Sequence, residues 1–451
     1  MVSDYIGNGE ETSTNNDAGT SKTFVDKITT SAAVAGRAVA FQQFLRLVQP
    51  LSESDLPEDM VFKAGKTYNI PFVFVVPQQL LLRVCRHEVS NDQIRDAHLT
   101  VPPSLGDATI AGRGEKLLDD FAPDMAAIKY AVNVKIDQTE GKPIVKGRKV
   151  RIAPAAEEQP PVSVEGALHD YIMRAEKDVK KGLLKGKLGR LVLEVAQPKS
   201  IRLPSHQSKD QAPPSTMATI MLRFDPAEAR SPPPRLGSLS SRLKVQTFYA
   251  SAARTDVPTR KSLVWDASQG MHSDNVTLPS RHMTGVEWTY HETEEQARLT
   301  RQTSSTSDNF HPIPAASEKY QGAGFYTAQI LVPISLPTNK VFVPTFHTCL
   351  VSRVYSLSLH LGLHSVSMAP TVDLKVPVQI SAEPSAEAQR RVSLIAEQEA
   401  FEVMDADNFF QTRTISPMAE HLIGRSSLTG ASDLPPDYEN LASGGMRIPC
   451  H

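Results

Sequence analysis

AIKYAVNVKID, from Ala127 to Asp137, puts Ile128, Tyr130, Val132, Val134 and Ile136 on one side of an extended chain. Lys129, Asn133, Lys135 and Asp137 fall on the other. A repeat of two suits a strand with one buried face and no helix at all. TVDLKVPVQIS repeats the pattern with Val372, Leu374, Val376, Val378 and Ile380. Further strand-like runs are GRLVLEVAQ, MATIMLRF, RLKVQTFYAS, YTAQILVPISL and HTCLVSRVYSLSLHLGL. The chain has 33 prolines among 451 residues, and proline-rich turns separate these runs. Short alternating strands between such turns predict an all-β protein of β-sandwiches.

Other stretches are less regular. YNIPFVFVVP, Tyr68 to Pro77, reads as a strand that is apolar on both sides, with Pro71 at an edge or bulge. Thr30 to Gln49 carries Phe41, Phe44, Leu45 and Val48 at helical spacing and predicts a helix. Residues 1–20 are polar and read as disordered. A pattern break at AAEEQPPVSVEG divides an N-terminal domain, 21–160, from a C-terminal one, 161–383. The Ser/Thr-rich stretch 291–322 is expected to be a long loop suited to phosphorylation control, and 384–451 a tail with a helix at 387–401.

A net charge of −2 gives no global attraction for nucleic acid or an anionic membrane. Three cysteines, Cys85, Cys349 and Cys450, form no disulfide framework and suggest a reducing compartment. The first residues lack a signal-peptide pattern, and no apolar run approaches the roughly 20 residues of a membrane span. The expectation is a cytoplasmic chain.

No G-x-S-x-G elbow, P-loop or H-E-x-x-H motif occurs, and the expectation is no enzyme and no cofactor. Cys85-Arg86-His87 and His347-Thr348-Cys349 form a mirrored pair, and four such ligands suit tetrahedral zinc. The two pairs fall in different predicted domains, however, and packed, hydrogen-bonded side chains are the more common state of such residues. No metal site is assigned. Glu176 to Arg190, EKDVKKGLLKGKLGR, is basic and reads as a solvated strand or loop.

The tail contains Pro435-Pro436-Asp437-Tyr438 in a small, polar setting. Two prolines favour polyproline II, which docks in the aromatic groove of a WW domain, and a tyrosine two positions on adds a second anchor. Pro435, Pro436 and Tyr438 are the predicted WW-binding residues.

AGKTYNIPFVFVVPQQLL, CRHEVSND, DAHLTVPPSLGD, KGLLKGKLGRLVLEVAQPKSIRLP and NKVFVPTFHTCLVSRVYSLSL resemble the fungal arrestin-related adaptors of the α-arrestin class. The resemblance spans roughly Gly19 to Ala382, with the PPxY motif beyond it. It implies two tandem arrestin-like, immunoglobulin-like sandwiches and no catalysis. It further implies recruitment of a HECT-type ubiquitin ligase through its WW domains to a plasma-membrane transporter or receptor. The cargo would then receive ubiquitin and be internalised from plasma membrane to endosomes. Adaptors of this class are themselves commonly modified on lysine, and Lys180, Lys181, Lys185 and Lys187 are the candidates. Only MVSDYIGNGEETSTNNDA precedes the resembling part, so the first domain is expected to lack strands and expose core surface. The alternative is a structural subunit of an endosomal sorting coat with an arrestin fold.

Overall fold

The computed structural model describes residues 21–31, 39–50, 57, 61–63, 65–107, 118–136, 142–161, 170–181, 186–205, 212–294, 313–322, 324–364, 370–390 and 393–394. The fold is all-β, built from antiparallel sheets. The first half contains β1 (Ser21–Ser31), β2 (Val39–Pro50), β3 (Ala126–Ile136) and β4 (Ile144–Val150), in the sheet order β2-β1-β3-β4. A short helix, α1 (Asp92–Leu99), lies in the connection from β2 to β3.

The predicted helix at Thr30–Gln49 is instead two antiparallel strands, and the pairing shows why the sequence misleads. Asp26 pairs with Leu45 but Lys27 pairs with Gln43, so Phe44 is an extra residue on β2. Such a bulge reverses which side of the strand faces inward. Before it Ala40, Gln42 and Phe44 turn in; after it Leu45, Leu47 and Gln49 do. A strand that changes parity once leaves apolar residues at three- and four-residue intervals, which imitates a helix.

Tyr68–Pro77 forms no strand either. Pro71 and Pro77 have no N–H to give a ladder, and the Val73 N–H donates to the Gln49 side chain at 2.9 Å rather than to a neighbouring backbone. Phe74 and Val76 pack on the first core, while Val73 and Val75 are 77% and 79% exposed. The first core joins Phe44, Leu80, Leu99, Val101, Leu105, Ile128 and Tyr130. Phe44 meets the Tyr130 ring edge-on at 5.5 Å, and the Tyr130 hydroxyl donates to the Pro102 carbonyl. β4 is an exposed edge carrying Lys146, Arg148 and Lys149, charges that discourage pairing with another chain.

The second half is a sandwich of two sheets. One contains β5 (Arg174–Lys180), β6 (Lys187–Val195), β8 (Ser215–Pro226), β12 (Thr289–His291) and β13 (Phe325–Ser335), in the order β12-β13-β8-β6-β5. The other runs β10 (Gln269–Thr277), β9 (Leu236–Ala250), β15 (Val351–Leu363), β14 (Phe346–His347), with β11 (Arg281–His282) on β9 and β16 (Thr371–Val378) on β15. β7 (Ile201–Leu203) pairs in parallel with β17 (Ile380–Ala382), and a short helix, α2 (Arg260–Trp265), precedes β10. Leu191, Leu193, Ile220, Leu222 and Phe224 from one sheet join Leu243, Val245, Leu357, Leu359, Leu374 and Val376 from the other in one core. Each follows the alternation expected of a strand with one inward face.

The ends of the long 291–322 stretch are tied to this sandwich, and its middle, 295–312, lies outside the described residues. Arg223 and Asp225, two apart on β8 and only 1% and 2% exposed, pair at 2.7 Å. Arg223 also donates to the Pro314 carbonyl and to Glu294, and Asp225 accepts from the Ser317 N–H at 2.8 Å. Residues 386–390 are helical, and the rest of the predicted 387–401 helix falls almost wholly outside the described residues, as do residues 1–20.

The chain up to Arg390 forms one compact unit containing both cores. The predicted boundary near residue 160 lies on an extended segment whose Ala156 bridges Ala382 and whose Pro160 carbonyl accepts from Gln379. β9 and β15, 15 and 13 residues long, serve both cores: Leu243 and Leu357 lie in the second, Tyr249 and Val351 in the first. Arg353, fully buried, donates to the Asp120 and Phe121 carbonyls of the first half. Among the described residues no helix is long and apolar enough to cross a membrane.

Candidate functional site

Cys85, His87, His98 and Cys349 converge where the two halves meet, and one donor atom from each lies within 4.8 Å of all the others. Three segments bring them together. A 3-10 turn, Leu82–Val84, ends at Cys85, whose N–H bonds the Leu82 carbonyl at 3.1 Å. α1 starts on Asn91, whose side chain accepts from the Ile94 N–H, satisfying an otherwise orphaned helix-end donor. Its inward residues Ile94, His98 and Leu99 fall on one helical face, so His98 reaches the cluster from the last turn. Arg95 on the same helix donates to the Cys85 carbonyl at 2.7 Å and fixes the helix against the turn.

Cys349 sits in the tight connection between β14 and β15. The Thr348 hydroxyl accepts from the Leu350 and Val351 N–H groups and donates to the Val351 carbonyl. From outside, the Arg254 N–H bonds the Cys349 carbonyl, and its guanidinium donates to the Leu350 carbonyl at 2.6 Å and to the Ser352 hydroxyl at 2.8 Å. The backbone around Cys349 is thus held on every side while its sulfur points inward.

The donor geometry is close. His87 Nε2 lies 3.2 Å from Cys85 Sγ and 3.2 Å from Cys349 Sγ, and His98 Nδ1 lies 3.6 Å from Cys85 Sγ. His87 Nδ1 is 2.9 Å from the Glu88 carbonyl. A carbonyl only accepts, so Nδ1 carries the proton and Nε2 presents a lone pair to both sulfurs. Both cysteines are free and buried. Burial above all, then nearby positive charge that includes Arg254 and Arg95, pushes His98 down to about 4, leaving it neutral near pH 7. Burial, then the charge of Cys85, pushes the Cys349 thiol up to about 12.

Three members of the mirrored pair therefore meet although they lie in different halves, so the separation that argued against a shared constellation does not keep them apart. His347 stands outside the group, with its Nδ1 unpartnered among the described residues. His98 takes the fourth place. His98 belongs to no Cys-x-His pair, and its one signal in the sequence is a histidine on the apolar face of a short helix eleven positions after His87.

The basic stretch behaves as a solvated hairpin. Lys187 pairs with Asp178, Arg190 with Glu176 and Lys181 with Glu228, so part of its charge is matched by carboxylates within the stretch and beside it. Lys180, Lys181 and Lys187 are described there, on or beside β5 and β6, and Lys185 lies outside the described residues. Pro435, Pro436 and Tyr438 also lie outside them. No family model matches this chain, and no curated protein matches it.

Proposed function

We propose that this protein is a non-enzymatic adaptor that carries a HECT-type ubiquitin ligase to a membrane-protein cargo, acting in the cytoplasm and at plasma membrane and endosomes. The observation that carries the reading is the Pro435-Pro436-Asp437-Tyr438 motif, set in a small, polar stretch after the sandwich. Two prolines preset φ, so docking orders little chain, and a WW groove buries the tyrosine two positions on. The all-β body and the resemblance of its segments to arrestin-related adaptors support the same reading. In it, the body meets cargo and the tail meets the ligase.

The test is titration of the full-length protein with tandem WW domains from a HECT ligase, alongside Tyr438→Ala. Expected is low-micromolar binding, about −8 kcal/mol, lost in the variant. No binding by the intact chain would remove the adaptor reading and favour a structural coat subunit.

A further inference from the structure

We propose that Cys85, His87, His98 and Cys349 form a structural zinc site that fastens the two halves of the body together. Two thiolates and two imidazoles are a common donor set for structural Zn²⁺. Four ligands at zinc's usual bond lengths define a tetrahedron with edges of about 3.4–3.8 Å. The sulfur–nitrogen separations of 3.2, 3.2 and 3.6 Å lie close to that figure. All four donor atoms lie within 4.8 Å of one another, so the remaining edges close on an ion by small side-chain adjustments.

Three further features favour an ion over a simple packed cluster. The His87 Nε2 lone pair faces two sulfurs at equal distance, yet it accepts a full hydrogen bond from only one S–H; a cation between them satisfies all three atoms. The His87 Nδ1–H bond to the Glu88 carbonyl is the outer-sphere contact that orients a ligating imidazole. The supports on Cys85 and Cys349 come from Arg95 and Arg254 through backbone carbonyls, and at Cys349 the Gln42 side chain adds the kind of outer hydrogen bond that a ligating thiolate accepts. Binding releases one proton from each thiol to solvent, and the two thiolates neutralise the dication. With four protein ligands the site has no open position for water, so its role is structural. It joins His87 to Cys349 across 262 positions of sequence, and it clamps the turn before α1 to the β14–β15 connection.

The full-length protein, purified without chelator, is assayed for metal by elemental analysis, and intact mass gives the thiol state. Expected is about one zinc per chain with both buried thiols reduced. Replacement by cobalt should give the intense visible bands of a tetrahedral ion and a thiolate-to-cobalt charge-transfer band. Cys349→Ser should lose most of the metal. Because that variant risks misfolding, His87→Cys serves as a second probe: it should keep the metal and strengthen the charge-transfer band, which a purely packing role for His87 would not produce. Folded wild-type protein free of metal, with cobalt giving only an octahedral spectrum, would overturn the proposal. So would a Cys85–Cys349 disulfide in the freshly purified protein.

Discussion

The two cores of this body are built by different means. The second is a sheet-on-sheet sandwich, with Leu191, Leu222, Leu243, Leu357 and Val376 fully buried between its layers. The first has one four-stranded sheet, β2-β1-β3-β4, and its cover is the irregular segment around 74–105 together with Tyr249 and Val343–Val351 from the second half. Interdigitating side chains between two laddered sheets hold the sandwich, and its buried Arg223–Asp225 pair serves chiefly to tie down the ends of the 291–322 stretch. An irregular cover has no ladder to hold it, so each of its backbone groups needs a specific partner. The first core accordingly depends on single pins: Tyr130 to Pro102, Arg95 to Cys85, Asp120 to the Gly106 N–H and Arg353 to Asp120 and Phe121. A well-packed sheet pair distributes its stability, whereas a covered single sheet concentrates it at a few residues.

The largest expected effect comes from puncturing the sandwich. Leu222→Ala should lose about 3–5 kcal/mol in urea unfolding, through lost transfer energy and the cavity left between two rigid sheets. Ile128→Ala should cost less, about 2–3 kcal/mol, because an irregular cover collapses into the space more readily. Equal losses at the two positions would break the comparison. Arg353→Met should cost about 2–3 kcal/mol by leaving the Asp120 and Phe121 carbonyls buried and unpaired. Hydrogen exchange should then rise at 118–122 ahead of β6 or β8.

Tyr130→Phe tests a single pin and should cost about 1–2 kcal/mol, the penalty of an unsatisfied Pro102 carbonyl. Acid gives the smallest effect. The Lys340 ammonium bonded to Asp119, then the Phe121 N–H, holds this carboxyl below its usual range. Its contribution is complete above the unfolded carboxylate pKa near 4 and is lost as pH falls through the lower folded value. Asp119→Asn should flatten that acid limb slightly, and an unchanged limb would show that this exposed pair adds nothing.

Much of the second sandwich was legible in sequence because inward residues of β6, β8 and β16 fall at every second position: Leu191, Leu193 and Val195; Ile220, Leu222 and Phe224; Val372, Leu374 and Val376. The first half was legible only at β3. At β2 a bulge on Phe44 reversed the strand's parity and gave a helical spacing to residues of a hairpin. Tyr68–Pro77 alternates like a strand, but alternation does not supply the N–H groups that Pro71 and Pro77 lack. The cluster at Cys85 was half legible: the Cys-x-His and His-x-Cys pairs mark good donors, but which histidine turns inward depends on α1 and on where β15 begins. Those are matters of tertiary packing and leave no local trace.

The sharing of β9 and β15 between the cores also sets a schedule for synthesis. The first sheet leaves the ribosome when β4 is complete, yet part of its cover, Val343–Val351, is made roughly two hundred residues later. At about 5–20 residues per second, Phe44, Ile128 and Tyr130 wait on the order of 10–40 s for that wall. During this interval the nascent chain presents an apolar sheet face and open edges, the surface that chaperones bind and neighbouring nascent chains join. Completion of the first core therefore waits on the order in which the chain is translated, and that face needs a guard meanwhile.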